Sequence, residues 1–173
     1  MSRKTRNINT SLWTDDKVAN DFTAEEKFFW LYLLTNDNTN NLGAYKLGIK
    51  ETAFYMGLSE STIRNLIIRF EKEHEMIVFD YNSHEVYIKN WGKYNWTSSK
   101  TIRTSLIRQA SDLRSKKIKK EVMKSISDFY DMEEKDIKAK AEEEKQNNIK
   151  PYGFHFIKSL IWDKGNKIMG TFY

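Results

Sequence analysis

The segment IKETAFYMGLSESTIRNLIIRFEKEHEMIVFDYNSHEVYIKNW, residues 49–91, decides the fold. Ile49 to Met56 suits a helix that turns Ala53 and Met56 inward, and Gly57 suits the left-handed conformation that closes one. Ser59 is a natural N-cap, because its hydroxyl can accept an amide that a helix start leaves unpaired. From there Ile63, Leu66, Ile67 and Phe70 recur at three- and four-residue spacing and define the buried stripe of a second helix. Glu60, Ser61, Arg64, Asn65, Ile68 and Arg69 fall on its opposite face. Met76–Asp80 and Glu85–Lys89 then alternate in polarity around the polar tip Tyr81-Asn82-Ser83-His84, which reads as a hairpin. Helix, tight turn, helix and hairpin in that order predict a winged helix-turn-helix, in a chain that is mainly α with a small β-wing.

Toward the N-terminus, Thr23-Ala24-Glu25-Glu26 is a capping box in which hydroxyl and carboxylate satisfy each other's backbone amides. The run Phe28-Phe29-Trp30-Leu31-Tyr32-Leu33-Leu34 is apolar on most sides and predicts a buried helix. It ends at Thr35–Asn41, where short amides and hydroxyls compete with helical bonding and favour a surface loop. Leu42–Leu47 is a short strand candidate that Gly48 ends.

Beyond Trp91 the aromatic, polar connector Gly92–Ser99 lacks periodicity. A boundary there gives a winged-helix domain over residues 1–97 and a helical, charged C-terminal region over 98–173, suited to oligomerisation or partner binding. Residues 101–147 are nearly free of glycine and proline and should be helical. Ile102, Leu106, Ala110 and Leu113 form one stripe, and Ile118, Val122, Ile126 and Phe129 another. Asp131–Gln146 is highly charged and reads as exposed, Asn147, Asn148 and Pro151 end it, and the tail Tyr152–Tyr173 fits helix and hairpin equally.

Composition narrows the function. The chain has 173 residues, is 39% hydrophobic and 14% aromatic, and so can build a core. It has no cysteine, which excludes disulfides, thiolate metal sites and a cysteine nucleophile and fits a reducing cytoplasm. No apolar run reaches the roughly 20 residues of a membrane span, and no signal-like core follows the first residues. The net charge of +5 is unevenly spread. Residues 1–96 carry 12 Lys/Arg against 13 Asp/Glu, whereas residues 97–124 carry 9 against 2, with a small outpost at Arg3, Lys4 and Arg6. A solvated helix face would account for such a run in isolation; beside a DNA-binding motif it suits phosphate neutralisation.

Candidate nucleic-acid contacts follow from residue chemistry. Arginine reads guanine, asparagine reads adenine and hydroxyls reach either, so Ser61, Thr62, Arg64, Asn65 and Arg69 are the candidate readers on the second helix. Glu60 is out of place there, since a carboxylate meets phosphate repulsion. Asn82, Ser83 and His84 at the cation-free tip are weaker candidates, with Lys89 and Lys93 nearby for phosphate. Lys100, Arg103, Arg108, Arg114, Lys116, Lys117, Lys119 and Lys120 would neutralise further phosphates. Trp91, Tyr94 and Trp96 suit either stacking on unpaired bases or packing against the helix that follows. His74, His84 and His155 have no metal-ligand spacing, and neither a glycine-rich phosphate loop nor a nucleophile elbow occurs, so no enzyme, metal or cofactor is expected.

Several stretches resemble one family. Trp13 to Asp16, Phe22–Lys27, Leu31–Asn36 and Asn41–Tyr45 are similar to the opening of Gram-positive phage replisome organisers, the DnaD-like replication initiators with an N-terminal winged helix. Ser59, Thr62-Ile63, Arg69–Lys72 and the stretch Ile88–Trp96 extend the likeness over roughly residues 3–97. The resemblance implies a phage or prophage protein that binds double-stranded origin DNA, self-associates as a homodimer and helps to recruit a host helicase loader or other replication protein. Beyond residue 97 the chain departs from the family pattern, with about 75 residues, basic and then alternating in charge, in place of a longer C-terminal domain. The same fold also suits a transcriptional regulator or autorepressor, or an initiator-like protein-interaction module acting as an inhibitor.

Overall fold

The computed structural model describes residues 5–148 and is mainly helical with one small three-stranded antiparallel sheet. Arg3, Lys4 and the tail from residue 149, including its helix-or-hairpin reading, lie outside the described residues. The chain divides into two compact units, Met1–Tyr130 and Asp131–Tyr173. Short helical turns at Thr10–Thr14 and Lys17–Asp21 precede α1 (Ala24–Thr35), β1 (Ala44–Lys46), α2 (Ile49–Met56), α3 (Glu60–Lys72), β2 (Ile77–Asp80), β3 (Glu85–Ile88), α4 (Trp91–Asn95), α5 (Lys100–Ser111) and α6 (Lys116–Asn148). No helix among the described residues is long and apolar enough to cross a membrane.

Local chemistry explains the element ends. Thr23 Oγ1 accepts the Glu26 amide at 3.2 Å while Glu26 Oε2 accepts the Thr23 amide at 2.7 Å, so the capping box is complete. Gly57 closes α2 at φ 67°, and Ser59 Oγ caps α3 through the Thr62 amide at 3.1 Å. Ile63, Leu66, Ile67 and Phe70 are all buried, each contributing about 1.5–3 kcal/mol of apolar transfer energy. The loop after α1 is held from within rather than left as a plain surface loop. Asn36 Nδ2 donates to the Tyr32 and Leu33 carbonyls and to the Tyr45 hydroxyl, Asn40 bridges Ala44 and Gly43, and Thr39 is fully buried.

Strand order is β1-β3-β2, so the hairpin gains a third strand: Tyr45 pairs with Val86 and Ala44 with Tyr87 on one side of β3, Phe79 and Val78 with the same residues on the other. Tyr45, Val86 and Phe79 share the face toward α1, where the Tyr45 hydroxyl donates to the Leu33 carbonyl and burial pushes its pKa up. Ala44, Tyr87 and Val78 share the other face. The alternating reading of the hairpin does not hold: Ile77-Val78-Phe79 and Val86-Tyr87-Ile88 are unbroken apolar runs, and β3 is buried at all four positions and β2 at three. The reason is α5 and the first half of α6: Leu106, Ala110, Ile118, Val122, Ile126 and Tyr130 belong to the same buried cluster as the sheet. The expected boundary after residue 97 accordingly falls inside one packing unit. The chain there is also more ordered than a connector, since Trp91 and Trp96 are buried and both donate their indole N–H to the Asn41 carbonyl, at 3.0 and 2.8 Å.

Two further differences from the sequence reading have plain causes. The helical stretch after residue 100 breaks at Asp112–Ser115, where the Ser115 hydroxyl caps α6 by accepting the Ile118 amide. Helix α1 is not buried on all sides, since Phe28 is half exposed, and on α2 Phe54 and Tyr55 are exposed as an edge-on pair.

Candidate nucleic-acid interface

The outward face of α3 holds the first group of expected readers. Ser61, Arg64 and Asn65 are exposed and Thr62 is half-buried. The hydroxyls of Ser61 and Thr62 both lie within hydrogen-bond reach of Ser59 Oγ, at 2.7 and 2.8 Å, which orders the first turn. Arg64 lies 3.9 Å from Glu60 one turn earlier, a loose exposed pair of small energetic weight. Arg69 is placed differently. Its guanidinium reaches Glu26 at 3.1 Å and Glu73 at 2.9 Å, so it braces α3 against the start of α1. Glu26 is fully buried and also lies 2.8 Å from His74 Nε2. Burial pushes the Glu26 carboxyl up, yet the bonds from His74 and Thr23 and the Arg69 charge outweigh it and hold the group below its ordinary value.

The hairpin tip gains from α6 what its own sequence lacks. Glu85, buried at the tip end of β3, accepts the backbone amides of Arg114 at 3.0 Å and Ser115 at 2.7 Å. Its Oε2 also accepts the Ser83 hydroxyl at 3.1 Å, and Asp80 accepts the Asn82 amide at 2.9 Å. A carboxylate against the unpaired amides of a helix start is electrostatically favourable. Hydrogen bonds from Ser115 and from the Asn82 amide hold the Asp80 carboxyl below its ordinary value. This docking brings the Arg114–Ser115 backbone to the tip end of β3, with exposed Arg114, Lys116, Lys117 and Lys120 on that junction and the α6 turns that follow it; Asn82 and His84 of the tip are also exposed. Lys117 spans the junction, reaching Glu71 of α3 at 2.8 Å and the Phe79 carbonyl at 3.4 Å. Burial raises the Glu71 carboxyl, but the hydrogen bonds it accepts from Lys117 and from the Phe79 amide more than offset that, leaving the group lowered.

The remaining candidates are dispersed. Lys119 donates to the Ser111 carbonyl and so closes the end of α5. Arg103 stacks over Tyr130 with its guanidinium 5.0 Å from the ring centre. Lys100 and Arg108 border a shallow, hydroxyl-lined depression on α5 with Thr101, Thr104 and Ser105. Lys89 and Lys93 lie at the base of the hairpin, at the far end from its tip. Of the three aromatic residues considered for stacking, Trp91 and Trp96 are core residues and only Tyr94 is exposed. The residues that sequence reasoning missed are Glu85 and Ser115, which bring cations to the tip; the one available signal was a carboxylate inside an otherwise apolar strand. Among the described residues no group of three or more histidines and carboxylates is placed to hold a metal ion. Comparison of the chain with protein-family models, with curated proteins and with solved structures returned no match.

Proposed function

We propose that the chain is a double-stranded-DNA-binding protein of winged-helix type, acting in replication initiation in the manner of a replisome organiser. The element order α1-β1-α2-α3-β2-β3 and the sheet order β1-β3-β2 support the winged-helix reading. The observation that carries the binding surface is the docking of the α6 start on Glu85, which anchors the stretch carrying Arg114, Lys116, Lys117 and Lys120 at the tip end of the hairpin. In this reading Ser61, Arg64 and Asn65 meet base edges while those cations meet phosphates, and each phosphate neutralised contributes roughly −0.9 to the log–log salt slope. Arg69 serves the fold instead. A homodimer, and a host helicase loader or other replication protein as partner, belong to the same reading.

A protein-binding module is the second reading, favoured by one observation: Phe54 and Tyr55 project from α2 at 81% and 69% exposure. Fluorescence anisotropy with duplex DNA across a salt series separates the two. Salt-sensitive binding that weakens when Lys116, Lys117 and Lys120 become glutamine supports the first. No binding at low salt leaves the second. Footprinting then distinguishes initiator from autorepressor, since repeated sites in a replication origin favour the former and a single promoter operator the latter.

A further inference from the structure

At the base of the hairpin, away from α3's first turns and the tip, a groove of about 650 Å³ opens between residues 6–18, α1, the turn after α3 and α4. Four cations border it, Arg6, Lys17, Lys89 and Lys93, against two carboxylates, Asp15 and Glu75. Asp15 is engaged, with one oxygen accepting the Val18 amide. Lys17 is likewise tied, to the His74 carbonyl. Lys89 and Lys93 have no carboxylate partner among the described residues. The Nε of Arg6 is shut from solvent and has no acceptor among them, while its terminal nitrogen bonds to Asn41.

Trp30 and Trp91 present little surface, half-buried Ile8, Leu12, Leu34 and Met76 supply the apolar wall, and Tyr94 stands 68% exposed at the rim with the Lys93 ammonium 5.4 Å from its ring centre. Asn90, held at φ 59°, flanks it, as does Asn95, whose amide nitrogen donates to the Trp91 carbonyl at 3.1 Å and leaves its oxygen to accept. A flat ring beside unpaired ammonium groups and amides matches an unpaired base with its phosphates: the ring stacks, the amides meet the base edge and the lysines neutralise charge.

We propose that this groove binds single-stranded nucleic acid, with a base against Tyr94 and the adjoining phosphates on Lys89 and Lys93. A bound apolar peptide is disfavoured because it would leave the Lys89 and Lys93 ammonium groups without the counter-charge that phosphates supply. The site is independent of the duplex reading, since it uses none of the α3 or α6 residues assigned to it.

The test is anisotropy of the full chain with a labelled oligothymidylate and an oligouridylate of about ten nucleotides each. Binding by either is expected, and the tighter of the two identifies whether DNA or RNA is the natural strand. Tyr94→Ala should weaken it by about tenfold or more, as loss of one base stack does. Lys89→Gln with Lys93→Gln should flatten its salt dependence. Arg64→Ala should leave it unchanged while reducing duplex binding, so failure of the duplex reading and failure of this one give different patterns. Absence of binding to both oligonucleotides at low salt overturns the proposal, as does equal affinity in Tyr94→Ala. Protection of Tyr94 by an acidic peptide with no oligonucleotide bound also overturns it.

Discussion

The Glu85 carboxylate accepts the backbone amide of Ser115 at 2.7 Å across a sequence separation of 30 residues. One side chain thereby fastens the hairpin to the start of a helix that would otherwise expose unpaired amides. Replacing Glu85 with alanine leaves the Arg114 and Ser115 amides without their acceptor in a buried setting, at a cost of about 2–3 kcal/mol. Urea unfolding should show that loss as a lower midpoint. Hydrogen exchange should show faster exchange over residues 114–120. Duplex affinity should fall too, because Arg114, Lys116 and Lys117 lose their fixed place beside the tip. A midpoint that does not move would show that the junction is held by Ile118, Val122 and Ile126 alone.

Glu26 predicts an acid limb of stability. Its carboxyl is held below the ordinary value near 4.5 despite full burial, so folding is favoured most where the group is ionised in both states. That stabilisation is fully present above the ordinary value and is lost as pH falls through the lower folded value. Glu71 and Asp80 are lowered as well and add to the same limb, so the comparison must be made between variants. Glu26→Gln should be less stable than the parent chain by about 2 kcal/mol at neutral pH, since it unpairs Arg69 and weakens the His74 bond. The two unfolding curves should converge as pH falls below the ordinary value and the parent's Glu26 also becomes protonated. A deficit that stays constant with pH would assign the effect to packing.

Gly43→Ala should be among the most damaging small substitutions. Gly43 sits at φ 73°, and an added Cβ would lie 2.3 Å from Cγ of the buried Trp91. Backbone strain and overpacking together cost about 2–4 kcal/mol. The indole would be pushed from the Asn41 carbonyl it shares with Trp96, so tryptophan emission should shift to the red as the melting temperature drops. Gly57→Ala is the control: it carries the same left-handed strain but meets nothing within 4 Å, so it should cost only about 1 kcal/mol.

Elements governed by local chemistry were legible in the sequence. Thr23 and Glu26 announce α1, Ser59 announces α3, and the spacing of Ile63, Leu66, Ile67 and Phe70 fixes which side of α3 is buried. What depends on distant contacts was not. Nothing near Glu85 in the chain indicates that its partners are amides some thirty residues on, and the apolar runs Ile77–Phe79 and Val86–Ile88 signal burial on both faces without naming α5 and α6 as the cover. The same limit separated Arg64 from Arg69. Both sit on the polar face at helical spacing, but only the folded chain brings Glu26 under one of them.

That separation can be tested by two substitutions with opposite outcomes. Arg64 is exposed and its pair with Glu60 is loose, so Arg64→Ala should leave the unfolding midpoint within about 0.5 kcal/mol of the parent. If it reads a base, specific duplex affinity should fall by about 1–3 kcal/mol, with the preference relaxed at one position of the site. Arg69 is braced between Glu26 and Glu73, so Arg69→Ala strips a cation from a buried carboxylate. It should lower stability at neutral pH and leave duplex affinity nearly unchanged in the fraction that remains folded. Measuring midpoints and duplex titrations on the same preparations keeps the two effects apart. If instead Arg69→Ala abolishes binding without loss of stability, the guanidinium must leave Glu26 on binding, and the C-terminal half of α3 becomes part of the reading surface.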